Sequence, residues 1–420
     1  MRRWLLACLV PLCLTVVRAD VFEYVAKPDD SFTWAAGQGG PGYSTIDMTS
    51  QTWQGIPWKH VISIYRPDKP LVDDLCVLVI TGGNFKPTDP QAAMLGMVAS
   101  QIKLPVAVLW NIPNQPLFEG KTEDALIAYT LTRAVATKDE SWPLLFPMTK
   151  SAVRAMDALQ AQSEKAWGKK ITRFITTGAS KRGWTTWFTG AVDKRVCAIM
   201  PMVYDNLNIP EQMAHQIKTW GSYSPQIHDY TEAGLQQLLM SDEGKRLASI
   251  IDPYTYRDKI TMPKLIICGT NDRYWTVDAL TFYRDKLVGE TNHIYVPNSG
   301  HGLNDLPRVF GAISGFARSV ALGGERPKMD WKYTVDGDKV TLRVVSPQAT
   351  KMDLWTTSAE AGKFYDTKWV SQPMAKDGDA WVATAVVPQG QQLAAFGEAT
   401  YADEGRTYTF STGLKLTPEG

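Results

Sequence analysis

Cysteine is scarce in this chain of 420 residues: there are five, and two of them, Cys8 and Cys13, fall in the first apolar stretch. The others, Cys76, Cys197 and Cys268, each lie in an apolar run where a core side chain belongs, so buried free thiols are expected rather than a disulfide framework. No Cys/His spacing resembles a metal site, and no metal or cofactor is expected. After residue 19 no segment reaches the roughly 18 apolar residues that a membrane span requires, so no stable membrane insertion is expected. Charge of one sign is missing too. With 44 Lys and Arg against 43 Asp and Glu, the net charge is +1, which gives no reason to expect nucleic acid as a partner. Repeats and low-complexity tracts are absent. Histidine is rare, with five in the chain.

What is present begins with Met1-Arg2-Arg3, the apolar run Trp4 to Val17, and Ala19. A positive start, a short apolar centre and a small residue at the cut describe a secretory signal over residues 1–19, hence a secreted or periplasmic protein. The remaining length is too great for one small core. Residues 45–64 read as a hairpin. Apolar runs at 75–80, 105–110, 171–176, 196–200, 264–268 and 293–296 read as interior parallel strands, because both faces are apolar. Helical patterns lie at 90–102, 122–136, 146–166, 184–193, 276–288 and 304–320. This alternation predicts an α/β fold with a mostly parallel sheet wrapped by helices, over residues 20–325. Residues 205–260 break the alternation and read as a helical insertion, a possible lid. From 326 to 420 short alternating stretches predict a small antiparallel β-sandwich.

The chemistry centres on Gly178-Ala179-Ser180-Lys181-Arg182-Gly183, between a strand and a helix. A serine on such a sharp turn presents its hydroxyl above the sheet, beside the amides of the following helix. A hydroxyl is a weak nucleophile without a neighbouring base. His301, in Ser299-Gly300-His301-Gly302 after the last strand, is the expected base. Asp272, in Gly269-Thr270-Asn271-Asp272, is the expected orienting carboxylate, with Asp205 as the alternative acid. The order Ser180, Asp272, His301 is that of α/β-hydrolases. Oxyanion donors are expected from the amides of Lys181 and of Gly83 or Asn84. Trp110, Trp184, Tyr274 and Trp275 are expected to wall a substrate site. Lys181 and Arg182 stand where smaller residues are usual, and either face an anionic substrate or form surface ion pairs near Asp193.

With these motifs and Tyr204-Asp205-Asn206-Leu207-Asn208, the chain resembles the PhoPQ-activated pathogenicity-related proteins. The resemblance covers nearly the whole mature chain and implies an exported α/β-hydrolase with a C-terminal sandwich. Members look similar to serine peptidases of the prolyl-oligopeptidase and dipeptidyl-peptidase type, which implies aminopeptidase- or dipeptidyl-peptidase-like hydrolysis of peptides. The basic residue after the serine is also similar to the elbow of glucuronoyl esterases, which implies an ester hydrolase instead. A third expectation is a binding or signalling protein on a hydrolase scaffold, with the sandwich docking a protein partner.

Overall fold

The computed structural model describes residues 20–83, 87–360 and 362–418; the expected signal sequence lies outside the described residues. The main sheet contains β1 (Thr33–Gly40), β2 (Tyr43–Trp53), β3 (Ile56–Tyr65), β4 (Leu75–Ile80) and β5 (Val106–Leu109). It continues with β6 (Arg173–Ala179), β7 (Val196–Met202), β8 (Lys264–Gly269) and β9 (Thr291–Val296). Their spatial order is β1-β2-β3-β5-β4-β6-β7-β8-β9. The first three strands pair antiparallel and β3 joins β5 the same way; from β5 onward every pair is parallel.

The continuous apolar runs follow from burial on both faces. Cys76, Leu78 and Ile80 of β4 face one core, while Leu75 and Val77 face the other. The helices that cover these faces include α1 (Val21–Ala26), α2 (Asp89–Ile102), α3 (Glu123–Thr137), α4 (Leu145–Trp167) and α5 (Lys181–Val192). The glycine-rich strand β1 was not visible in the sequence, since Thr33–Gly40 carries little apolar alternation. Gly37 there permits close pairing: a Cβ would lie 2.5 Å from Thr45 Oγ1.

Between β7 and β8 the chain builds α6 (Ile209–Trp220), α7 (His228–Glu232), α8 (Leu235–Leu238) and α9 (Asp242–Ile251), the insertion expected from the broken alternation. The helix expected over 276–288 is replaced by two 3₁₀ turns, Ala279–Phe282 and Arg284–Lys286. Side chains of the insertion have taken backbone acceptors there. Gln212 Nε2 donates to the Ala279 carbonyl at 2.9 Å and Asn208 Nδ2 to that of Phe282 at 3.4 Å.

After α10 (Leu306–Ala321) come β10 (Asp330–Asp336), β11 (Lys339–Val345), β12 (Lys351–Ala359), β13 (Val370–Pro373) and β14 (Ala375–Asp377). The series ends with β15 (Ala380–Val386), β16 (Gln392–Asp403), β17 (Arg406–Ser411) and β18 (Lys415–Thr417). They form two antiparallel sheets, β10-β11-β15-β14 and β13-β12-β16-β17, with β18 against β16. Strand β16 is the longest of these and was not read from the sequence. Residues Leu393 to Ala399 are all buried, so the alternation that marks a half-exposed strand is lacking.

The core does not stop at residue 325. Ile294 and Phe316 share one apolar cluster with Leu342 and Phe410. Gly315 of α10 lies under the Tyr408 ring, where a Cβ would meet ring carbon at 2.5 Å. Arg318, 1% exposed, reaches Asp403 at 2.8 Å and Glu404 at 2.6 Å. Cys76 and Cys268 are buried free thiols as expected, whereas Cys197 is partly exposed.

Candidate active site

Strand β6 ends at Ala179 and α5 begins at Lys181, so a single residue makes the turn. That residue, Ser180, has φ 58° and ψ −126°, a strained conformation for a side chain with a Cβ. Its amide donates to the Met202 carbonyl at 2.9 Å, and its carbonyl accepts from Trp184 at 3.0 Å. The turn closes only because its neighbours are small. A Cβ at Gly178 would come within 2.6 Å of the Arg182 carbonyl oxygen, and one at Gly183 within 2.7 Å of that of Met202. The amide of Lys181 stands in the first turn of α5, where backbone N–H groups have no intrahelical acceptor.

Arg182, the residue out of pattern, is accommodated from the other side. Gly82 leaves room for its guanidinium, since a Cβ there would lie 2.2 Å from Arg182 Nη2. The guanidinium donates to both Glu123 oxygens at 2.7 Å and to the Ile112 carbonyl at 2.6 Å. Lys181, 8% exposed, reaches Glu123 at 2.8 Å and Asp124 at 3.4 Å. Burial would push the Glu123 carboxyl up, but Arg182 and Lys181 outweigh it and hold its pKa down at about 2. The cations pair with a carboxylate, but it is Glu123 at the start of α3 and not Asp193, which holds Arg195 instead.

The expected carboxylate and base, Asp272 and His301, lie in the loops after β8 and β9. His301 Nδ1 lies 2.8 Å from Asp272 Oδ2, and the other carboxylate oxygen accepts the Tyr274 amide at 2.9 Å. The Tyr274 ring stacks on the imidazole with centroids 4.1 Å apart. His301 Nε2 is buried and has no hydrogen-bond partner. The loops touch directly, Asn271 donating to the Ser299 carbonyl at 2.9 Å. Gly269 makes that approach possible: a Cβ would meet both the Ser299 and Gly300 carbonyls at 2.5 Å. The left-handed residues of the base loop are Asn298 and Leu303, not the glycines beside His301.

The alternative acid, Asp205, is committed elsewhere. It accepts from the Tyr283 hydroxyl at 2.7 Å, and burial raises its pKa to about 7 against the effect of that bond. Another Ser–His contact exists at His60, whose Nε2 lies 3.0 Å from Ser50 Oγ and 3.2 Å from Ser151 Oγ. Burial lowers its pKa to about 4, and none of these residues lines the cavity beside Ser180.

That cavity, about 90 Å³, is bounded by Ser180, Lys181, Trp184, Tyr274 and Trp275 on the sheet side and by the insertion on the other. Trp184 is fixed by its indole N–H, which donates to the Ile251 carbonyl at 2.7 Å, and by stacking on Tyr204. Trp110 does not wall the cavity. It is 6% exposed, and its indole donates to Ser63 Oγ at 2.9 Å within the opposite core. Arg182 likewise points away into its carboxylate. Gly83, with φ 82°, follows β4 as expected of an oxyanion loop, while Asn84 lies outside the described residues.

Two features escaped the sequence reading. Asn271 Nδ2 donates to the Tyr365 carbonyl at 3.2 Å and to that of Thr367 at 2.7 Å. Asn298 exchanges bonds with the Trp369 backbone, at 3.0 and 2.8 Å. Nothing local marks either asparagine, because their partners lie 71 or more positions away. Among the described residues no group of three His, Cys, Asp or Glu side chains could hold a metal ion.

A mixed, mostly parallel sheet with helices on both faces and a serine on the strand-to-helix turn define the α/β-hydrolase fold. Residues 21–365 match the PhoPQ-activated pathogenicity-related protein family, to which the chain belongs. It is 31% identical over 390 residues to Autocrine proliferation repressor protein A of Dictyostelium discoideum, covering 86% of this chain and 78% of that one. Among solved structures, an acetyl xylan esterase from Paenibacillus sp. R4 superposes with a TM-score of 0.48 at 12% identity, covering 68% of this chain and 90% of that one. The acylaminoacyl peptidase of Pyrococcus horikoshii gives 0.40 at 14% identity, covering 66% of this chain and 38% of that one.

Proposed function

We propose that this protein is an exported serine hydrolase that works by acyl transfer. The observation that carries the reading is an imidazole oriented by Asp272, whose second nitrogen is buried and unpartnered. With it goes a strained serine at the start of a helix. The Ser180 oxygen adds to the substrate carbonyl while His301 Nε2 takes its proton. Asp272 stabilises the imidazolium, and the amides of Lys181 and Gly83 receive the oxyanion. Collapse expels the leaving group, which takes the proton from His301. Water then repeats the cycle on the acyl-enzyme, returning the acid and the free hydroxyl.

A peptide and an ester enter this sequence alike and differ in the leaving group, an amine needing protonation more than an alcohol does. The peptidase and esterase readings therefore share one site. A non-catalytic reading has one observation in its favour: the Dictyostelium relative is named as an autocrine repressor of proliferation. In that reading the exported chain signals through a protein partner held by the C-terminal sheets.

One experiment separates them. A fluorophosphonate probe is expected to label the folded protein, and Ser180→Ala is expected to abolish both labelling and hydrolysis while the melting curve stays unchanged. Absence of labelling on folded wild-type protein would overturn the hydrolase reading and favour the signalling one. Secretion is checked by the mature N-terminus, expected at Asp20.

A further inference from the structure

The cavity beside Ser180 is unlike a polar carbohydrate cleft. Its walls include Met213, Ile227, Leu239, Leu247 and Ile251 of the insertion, facing Trp275. The carboxylate on its wall, Asp124, accepts from the Tyr230 hydroxyl at 2.9 Å and faces Lys181 at 3.4 Å, both through Oδ1. Four polar atoms on the cavity wall are buried without a partner: the acceptors Asn206 Oδ1 and Gln236 Oε1 and the donors Tyr204 hydroxyl and Trp275 Nε1. A buried polar atom left unpaired is costly, so a ligand that brings both a donor and an acceptor is favoured at such a place.

We propose that this cavity receives the acyl part of the substrate, an uncharged, apolar group carrying a hydrogen-bond donor and an acceptor. The inference rests on the hydrolase reading and adds the substrate class to it. Walls of this apolar kind suit a branched or aromatic side chain. An N-acylated apolar amino acid has this form, its N–H being the donor, whether it leaves from an ester or from an amide.

The test uses the purified full chain and p-nitrophenyl esters. Butyrate is expected to exceed acetate in kcat/KM by roughly tenfold, from two added methylenes in an apolar pocket. N-acetyl-leucine p-nitrophenyl ester is expected to exceed its analogue with oxygen in place of the N–H by at least tenfold. The matching p-nitroanilide tells whether an amide is also cleaved. Leu239→Ala enlarges the cavity from a partly exposed position, so the fold is preserved, and is expected to move the optimum to longer chains. Fluorophosphonate labelling runs beside every assay. A labelled protein whose rates are flat across chain length, or equal with and without the N–H, overturns the acyl-pocket proposal and leaves the hydrolase standing. An unlabelled protein overturns the hydrolase reading itself.

Discussion

The two sides of the site are held by different physics. On the Ser180 side, the buried cations Lys181 and Arg182 converge on Glu123, whose side chain is 40% exposed. On the side of Asp272 and His301 the ion pair of Arg273 with Asp366 is solvent-exposed and contributes little. Asn271 and Asn298, one beside Asp272 and the other three positions before His301, are tied by neutral amide bonds to residues 365–369, beyond α10. Buried charges fix a turn firmly but leave a heavy penalty when one partner is removed. Neutral amide bonds cost less to lose, and they let a separate pair of sheets set the aim of two loops. The C-terminal sheets are thus part of what shapes the site.

This contrast can be broken by experiment. Glu123→Ala leaves Arg182 without its carboxylate, and a loss of about 3 kcal/mol of unfolding free energy is expected, read by urea denaturation. Asn298→Gly keeps the left-handed backbone at φ 57° and removes only the side-chain bonds, so about 2 kcal/mol is expected. Its kcat is expected to fall with KM unchanged, because the base loses its aim while the acyl cavity is untouched. If Asn298→Gly destabilises more than Glu123→Ala, the contrast is reversed.

A pH-dependent effect concerns Asp205, which touches neither device. Its pKa in the folded protein, about 7, lies above the ordinary carboxylate value because the group is buried. The folded chain therefore holds a proton that the unfolded chain releases, and this stabilisation is complete below about pH 4 and lost as pH rises through 7. Asp205→Asn is expected to match wild type in melting at pH 4 and to exceed it at pH 8. Equal gains at both pH values would show that the raised pKa has no part in stability.

Much of the site could be read along the chain because its signals are local. The elbow at Ser180 needs a strand, small neighbours and a helix within a dozen residues, and the Asp272 and His301 loops each follow an apolar run. The residues that were misread share a different cause. Trp110 ends a strand like the others, but its ring turns to the core opposite the cavity. The expected helix over 276–288 has good periodicity and still gives way, since Gln212 and Asn208 claim its carbonyls.

By itself the sequence determined the order of the interior strands and of most helices between them, the strand-to-helix turn at Ser180 and the chain order of the three candidate catalytic residues, because periodicity and turn sterics act over neighbouring positions. Tertiary structure alone decided that Asp272 and not Asp205 meets His301, that Glu123 neutralises the two cations of the elbow, and that residues 365–369 brace the acid and base loops. Those outcomes depend on which side chains share a desolvated space, and hydrogen bonds and ion pairs between distant segments leave no periodic trace in the chain.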